Sequence, residues 1–120
     1  MTPREIHRPN PEWLAQAQLD AYNARDVKTF VSLYAPDVEI YNFPMGKPVM
    51  KGRAAMEKTY GKMFAANPHL HCRLVNRIVS GEFVTDSELV TGMKGRGEVR
   101  ATAIYRMREG LIHRVWFIRH

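Results

Sequence analysis

Apolar and polar positions along the chain follow two successive rhythms. From Pro11 to about Ala66 they recur with helical spacing, and from Leu70 onward they alternate with a period of two. Asn10-Pro11-Glu12 predicts a helix start, with Asn as cap and Pro in the first turn, and Leu14, Ala15, Gln18, Leu19, Ala21 and Tyr22 share one face up to about Arg25. Asp26 can cap a second, short helix in which Val27, Phe30, Val31 and Tyr34 follow i, i+3, i+4, i+7 spacing until Ala35-Pro36. A strand over Val38–Phe43 is stopped by Pro44, Gly46 and Pro48. A third helix, Arg53 to Ala66, buries Met56, Tyr60, Met63 and Phe64 and ends at Asn67-Pro68.

Four alternating runs follow, Leu70–Val79, Phe83–Met93, Glu98–Met107 and Leu111–Arg119, separated by Ser80-Gly81, Gly95-Arg96-Gly97 and Glu109-Gly110. These breaks are hairpin signals, so the strands read as an antiparallel meander and the whole as an α+β domain. Taking Ser80-Gly81 as a two-residue turn and Gly95-Arg96-Gly97 as a three-residue turn pairs Arg73 with Glu88, and Asp86 with Val75 and Arg106. That charged face also carries Arg77 and Arg100. The opposite face collects Leu70, Cys72, Leu74, Ser87, Leu89, Met93, Val99, Ala101, Tyr105 and Met107, and is expected to look toward the helices. For the last strand the turn length decides: a three-residue turn at Arg108-Glu109-Gly110 turns His113, Val115, Phe117 and Arg119 inward, a two-residue turn Arg114 and Trp116.

With 120 residues, 45% hydrophobic and 25% charged, the chain suits one soluble globular domain spanning residues 1–120. The prolines and charges of Met1–Pro9 read as a mobile extension rather than a signal peptide, and no apolar run approaches the ~20 residues of a membrane span, so a cytoplasmic location with no membrane partner is expected. The single Cys72 excludes an intrachain disulfide and a cysteine-based zinc site. His69-x-His71 offers two ligands without a nearby carboxylate pair, so neither metal nor cofactor is expected. The net charge of +6 invites a nucleic-acid reading, but the arginines are dispersed along strands with acidic neighbours and no nucleic-acid motif is present. The expected partners are instead a small molecule and a second copy of the chain.

The run Ala21-Tyr22-Asn23-Ala24-Arg25-Asp26, then Tyr34-Ala35-Pro36-Asp37-Val38-Glu39-Ile40, a Pro/Gly loop, and Lys51-Gly52-Arg53-Ala54-Ala55-Met56 resembles the nuclear transport factor 2-like superfamily, in its SnoaL-like and ketosteroid-isomerase-like branch. The resemblance covers the chain from about Glu12 to its end. It implies a cone-shaped, curved antiparallel sheet wrapped around three helices, a pocket between them, and a homodimer through the outer sheet face. Members of this superfamily include isomerases, polyketide cyclases, epoxide hydrolases and non-catalytic binding domains. The ketosteroid isomerase oxyanion positions correspond to Gln18 and to Ala103 or Ile104, and the base position to Phe43, so the Tyr/Asp/Asp set of that reaction is lost. Around Tyr41-Asn42-Phe43-Pro44 the chain is similar to limonene-epoxide hydrolase. Asn42 matches its asparagine, while its tyrosine corresponds to Ile40 and its Asp-Arg-Asp set to Leu89, Ser87 and Phe117.

The expected activity is therefore isomerase-, cyclase- or water-adding chemistry on a mostly apolar cyclic or carbonyl-bearing molecule, without a matched carboxylate. Asn42 and Tyr105 would orient the ligand and His113 would move the proton, because histidine titrates near neutrality. Gln18, Tyr22, Tyr60, Met63, Ser87, Met93, Met107, Val115, Phe117 and Arg119 would form the ligand-binding wall, with Arg119 suited to a carboxylate or enolate. The competing expectation is a non-catalytic dimeric domain that binds a ligand or a protein partner, with its pocket closed by side chains.

Overall fold

The computed structural model describes residues 10–120, and the extension before them lies outside the described residues. Helix α1 (Pro11–Asn23) begins where Asn10 accepts a hydrogen bond from the Trp13 amide at 2.7 Å, and it buries Leu14, Ala15, Gln18, Leu19 and Ala21. Helix α2 (Val27–Ser32) is capped by Asp26, whose carboxylate accepts from the Thr29 amide at 3.2 Å and the Thr29 hydroxyl at 2.7 Å. It ends at Ser32, ahead of Tyr34. The Leu33 carbonyl accepts from the Ile112 amide and the Tyr34 carbonyl from the Arg53 guanidinium, so partners outside the helix draw this backbone into the sheet. Helix α3 (Arg53–Ala66) has the predicted bounds.

The six strands are β1 (Tyr34–Asn42), β2 (Met50–Lys51), β3 (His71–Ser80), β4 (Phe83–Thr91), β5 (Val99–Arg108) and β6 (Leu111–Arg119). They form one curved sheet in the order β2-β1-β6-β5-β4-β3, antiparallel throughout except where β1 runs parallel to β6. The meander is as expected. The short edge strand β2 carried no alternation to announce it; the Val49 and Gly52 amides donate to the Ile40 and Val38 carbonyls at 2.7 Å.

The register differs from the counted one in three places, each traceable to a turn or bulge. The β3–β4 turn is Gly81-Glu82, with Gly81 at φ +61°, and a bulge at Val75 lies between the Leu74↔Glu88 and Asn76↔Ser87 pairs. The turn at Gly81-Glu82 sets Asp86 opposite Arg77 rather than Val75, and the β4–β5 connection, the long loop 92–98 rather than a three-residue turn, sets it opposite Ala103 rather than Arg106. This reverses β4: Val84, Asp86, Glu88 and Val90 face the helices, while Ser87 faces outward. Finally, Glu109-Gly110 is a two-residue turn with both residues at positive φ, and a bulge at His113 between Ile112 and Arg114 restores the phase. Val115, Phe117 and Arg119 therefore turn inward, and His113 does not.

The core lies between the helices and the inner sheet face, centred on Leu14, Phe30, Met56, Leu70, Val38, Val84, Ile112 and Val115. Asp86 is fully buried and forms a two-pronged ion pair with Arg77, at 2.7 and 3.0 Å; the third arm of the guanidinium donates to Gln16 at 3.0 Å. No helix among the described residues is long and apolar enough to cross a membrane.

Candidate functional site

Inward residues of neighbouring strands line up in rows across the sheet. Tyr105 pairs with Val84 and Val115, Ala103 with Asp86 and Phe117, and Ala101 with Glu88 and Arg119. Two alanines in the middle of adjacent rows leave space under the helices where larger side chains would close the core. The aromatic rings of Tyr22, Phe30, Tyr34, Tyr60 and Phe64 close the other side, with centroids 4.9–6.4 Å apart. Between them lies a cavity of about 290 Å³, lined among others by Leu19, Met50, Met63, Cys72, Val90, Met93 and Val99, with Arg96 and Arg119 also on its wall.

The cavity contains one carboxylate, Glu88 on β4. It is 7% exposed, and burial with the fully buried Asp86 two residues away raises its pKa from 4.5 to about 7; Cys72 and Tyr105, which donate toward it, and the Arg77 charge oppose that rise. A carboxyl at that value is divided between acid and base near neutral pH, the condition for moving a proton in both directions. Burial raises the Tyr105, Tyr34 and Tyr22 hydroxyls above the ordinary phenol range and the Tyr60 hydroxyl to about 12, so all four stay protonated as donors. The Tyr34 hydroxyl is committed to Gln18 Oε1 at 3.1 Å, and Gln18 Nε2 to the Ala15 carbonyl at 3.0 Å. Tyr22 and Tyr60 have no side-chain hydrogen-bond partner among the described residues and can offer theirs to a ligand.

Of the residues expected from sequence, Gln18, Tyr22, Tyr60, Met63, Met93, Tyr105, Phe117 and Arg119 line this cavity. Met107 and Val115 point inward but are packed into the core instead. Asn42 stands at the end of β1, where its Oδ1 accepts from Arg119 Nη1 at 2.7 Å; it orients the arginine. Two residues lie on the other side of the sheet. Ser87 faces outward because of the reversed β4 register, and His113 lies in its bulge on the opposite face of the sheet, in a polar hollow with Asp37, Glu39, Lys51, Arg106, Arg108 and Arg114. The same reversal corrects the expectation of a pocket without a carboxylate: Glu88, assigned to the outer face, is inside. His69 precedes β3, His71 opens it, and both are exposed; among the described residues no group of three potential ligands gathers.

Met93 and Arg96 reach the cavity because the loop 92–98 is pinned. The Lys94 amide donates to Asn67 Oδ1 at 2.8 Å, and Gly92, at φ +82°, packs so closely that a Cβ there would lie 2.0 Å from the His69 carbonyl oxygen.

The profile of the SnoaL-like domain family matches residues 15–115. Among solved structures, an uncharacterized cystatin fold protein from Novosphingobium aromaticivorans is similar with a TM-score of 0.83 and 28% identity, over 92% of this chain and 98% of that one. An NTF2-like protein of unknown function from Cytophaga hutchinsonii superposes with a TM-score of 0.77 at 16% identity, over 94% and 92% of the two chains. A protein from Kribbella flavida described as a candidate ketosteroid isomerase does so at 0.77 and 21%, over 92% and 77%. No curated protein matches the chain. The match over nearly the whole described chain makes this protein a member of the SnoaL-like domain family, and its curved sheet over three helices is the fold of the NTF2-like structure it superposes on.

Proposed function

We propose that the protein is an acid–base enzyme acting on a mostly apolar, carbonyl-bearing small molecule, with Glu88 as the group that moves the proton. The observation that carries this reading is a single buried carboxyl, with a pKa of about 7, in an otherwise apolar cavity. Ionised Glu88 takes a proton from the carbon beside the carbonyl, and the electron pair left behind moves onto the carbonyl oxygen. Tyr22 and Tyr60, the two uncommitted phenol donors, hydrogen-bond that oxygen as its charge grows. The protonated Glu88 then returns the proton to the same carbon or to another carbon of the conjugated system, which completes an isomerisation or sets up ring closure. This route does not use the Tyr/Asp/Asp set of ketosteroid isomerases, whose positions hold Gln18, Ala103 or Ile104, and Phe43.

Deuterium incorporation at the acidic carbon of 2-tetralone, followed by NMR in heavy water, tests this with a bicyclic ketone as probe. Wild-type protein should accelerate exchange with an inflection near pH 7, and Glu88→Gln should lose the acceleration. Equal exchange by both proteins would overturn the assignment.

For the outer sheet face we propose a second copy of the chain as partner. Ile78, Thr85, Ile104, Trp116 and Tyr41 form one row across five strands, with Tyr41 stacked on Trp116 at 5.8 Å and Phe83 tilted against Trp116 at 6.5 Å. The adjoining row carries Arg106, Arg114 and Glu39, a charged rim of both signs. Sedimentation should give a dimer that Ile104→Asp converts to monomer; an already monomeric wild type would remove this proposal.

A further inference from the structure

We infer that the ligand of this cavity is an amphipathic anion, an apolar body bearing a carboxylate, with the carboxylate held by Arg119 at one end and the body reaching across Ala101 to Glu88. The inference rests on reading the cavity as a small-molecule site, as above, but does not require that proton transfer occur there.

Three observations carry it. First, Glu88, Ala101 and Arg119 occupy one row of the sheet, so the two charged residues stand two strands apart, about 10 Å between Cα atoms, with only a methyl group between them. A ligand lying along this row meets one at each end. Second, Arg119 is not tied to an acid: among the described residues neither it nor Arg96 forms a salt bridge, and Glu88 is the one carboxylate on the cavity wall. Third, Arg119 is pre-oriented. Its Nη1 donates to Asn42 at 2.7 Å and its guanidinium carbon lies 4.9 Å from the centre of the Phe117 ring, which leaves the remaining N–H donors of a planar fork free for a carboxylate. The charge is felt inside the cavity, where it acts against the upward shifts of the Tyr22 and Tyr60 hydroxyls. An aligned guanidinium without a carboxylate partner, at the end of a pocket walled by aromatic and methionine side chains, fits an organic acid better than a neutral ketone.

The test compares 1-naphthylacetate with its neutral amide, 1-naphthylacetamide, by titration calorimetry on the full chain at low salt and slightly above neutral pH. Wild-type protein should bind the carboxylate at least tenfold more tightly, the preference should shrink with added salt, and Arg119→Gln should bring the two affinities to within about twofold. Arg119→Lys, which keeps the charge but loses the fork, should retain part of the preference and covers the case in which the Gln variant does not fold. Asn42→Ala should weaken the preference without abolishing it. Equal affinities in the wild type, no binding of either probe, or a preference that survives both Arg119 variants would overturn the inference. Failure of the acid–base reading looks different: the carboxylate preference persists, also in Glu88→Gln, while tetralone exchange is independent of Glu88.

Discussion

Replacing Glu88 by Gln keeps the size and shape of a buried side chain and removes its titration, so it isolates what that proton does to stability. In the folded chain the carboxyl titrates near 7, against an ordinary 4.5. Between these values the folded state holds a proton that the unfolded state has released, so stability is highest below about pH 4.5 and falls as pH rises toward 7. At 1.36 kcal/mol per unit, the full rise corresponds to roughly 3 kcal/mol. This is opposite in sign to Asp26, whose pKa is lowered by its helix-capping hydrogen bonds and which favours folding at higher pH. The comparison must therefore be made between variants rather than along one curve. Urea unfolding of wild type and Glu88→Gln at steps from acidic to slightly alkaline pH should give a difference that drifts by roughly 3 kcal/mol, the Gln variant gaining on the wild type as pH rises, with the midpoint of the drift between 4.5 and 7. A difference that is constant with pH would refute both the buried carboxyl and the acid–base assignment built on it.

Other substitutions test other parts of the argument. Gly92→Ala places a Cβ 2.0 Å from the His69 carbonyl oxygen at φ +82°, and should cost more than about 2 kcal/mol in urea unfolding as well as weaken probe binding through the displaced loop. Arg77→Met removes the partner of the fully buried Asp86 and should destabilise the fold by about 3–5 kcal/mol, whereas the pair of changes Arg77→Met and Asp86→Leu should recover much of that loss. His113→Ala, on the far side of the sheet, should leave tetralone exchange and naphthylacetate affinity unchanged within about twofold; a large loss would contradict the bulge that turns His113 outward.

The helices could be read from the chain because each ends on a local signal. Asn10 and Asp26 cap side chains that need no tertiary partner, and Asn67-Pro68 stops α3 by steric means alone. The end of α2 was not legible, because the carbonyls of Leu33 and Tyr34 are claimed by Ile112 and Arg53, residues far along the chain. The positions of the four meander strands were legible to within a residue or two, whereas the start of β1 at Tyr34 and the edge strand β2 were not, and neither were strand faces. Alternation fixes that every second residue shares a side; which side depends on the parity of each connection. The sequence around Gly95-Arg96-Gly97 has the composition of a tight turn, yet the chain leaves β4 at Gly92, where contact with His69 requires glycine, and the loop docks on Asn67.

The same parity explains why the candidate site was half legible. Residues on α1, α3 and the inner face of β5 keep the orientation that periodicity gives them, and Gln18, Tyr22, Tyr60, Met63 and Tyr105 line the cavity. On β4 a single reversal exchanged Ser87 for Glu88 and converted an apolar wall into one with a titrating carboxyl. Composition pointed the other way: Asp86 and Glu88 beside the arginines of β3 and β5 read as a charged outer face suited to a dimer interface. What the sequence pattern does not show is that Arg77 pairs with Asp86 inside the fold, leaving Glu88, among the described residues, as the buried acid with no cationic partner. A buried ion pair thus supplies the contrast between two neighbouring carboxylates, about 7 Å apart along one strand, of which one is spent on structure and the other is left free for chemistry.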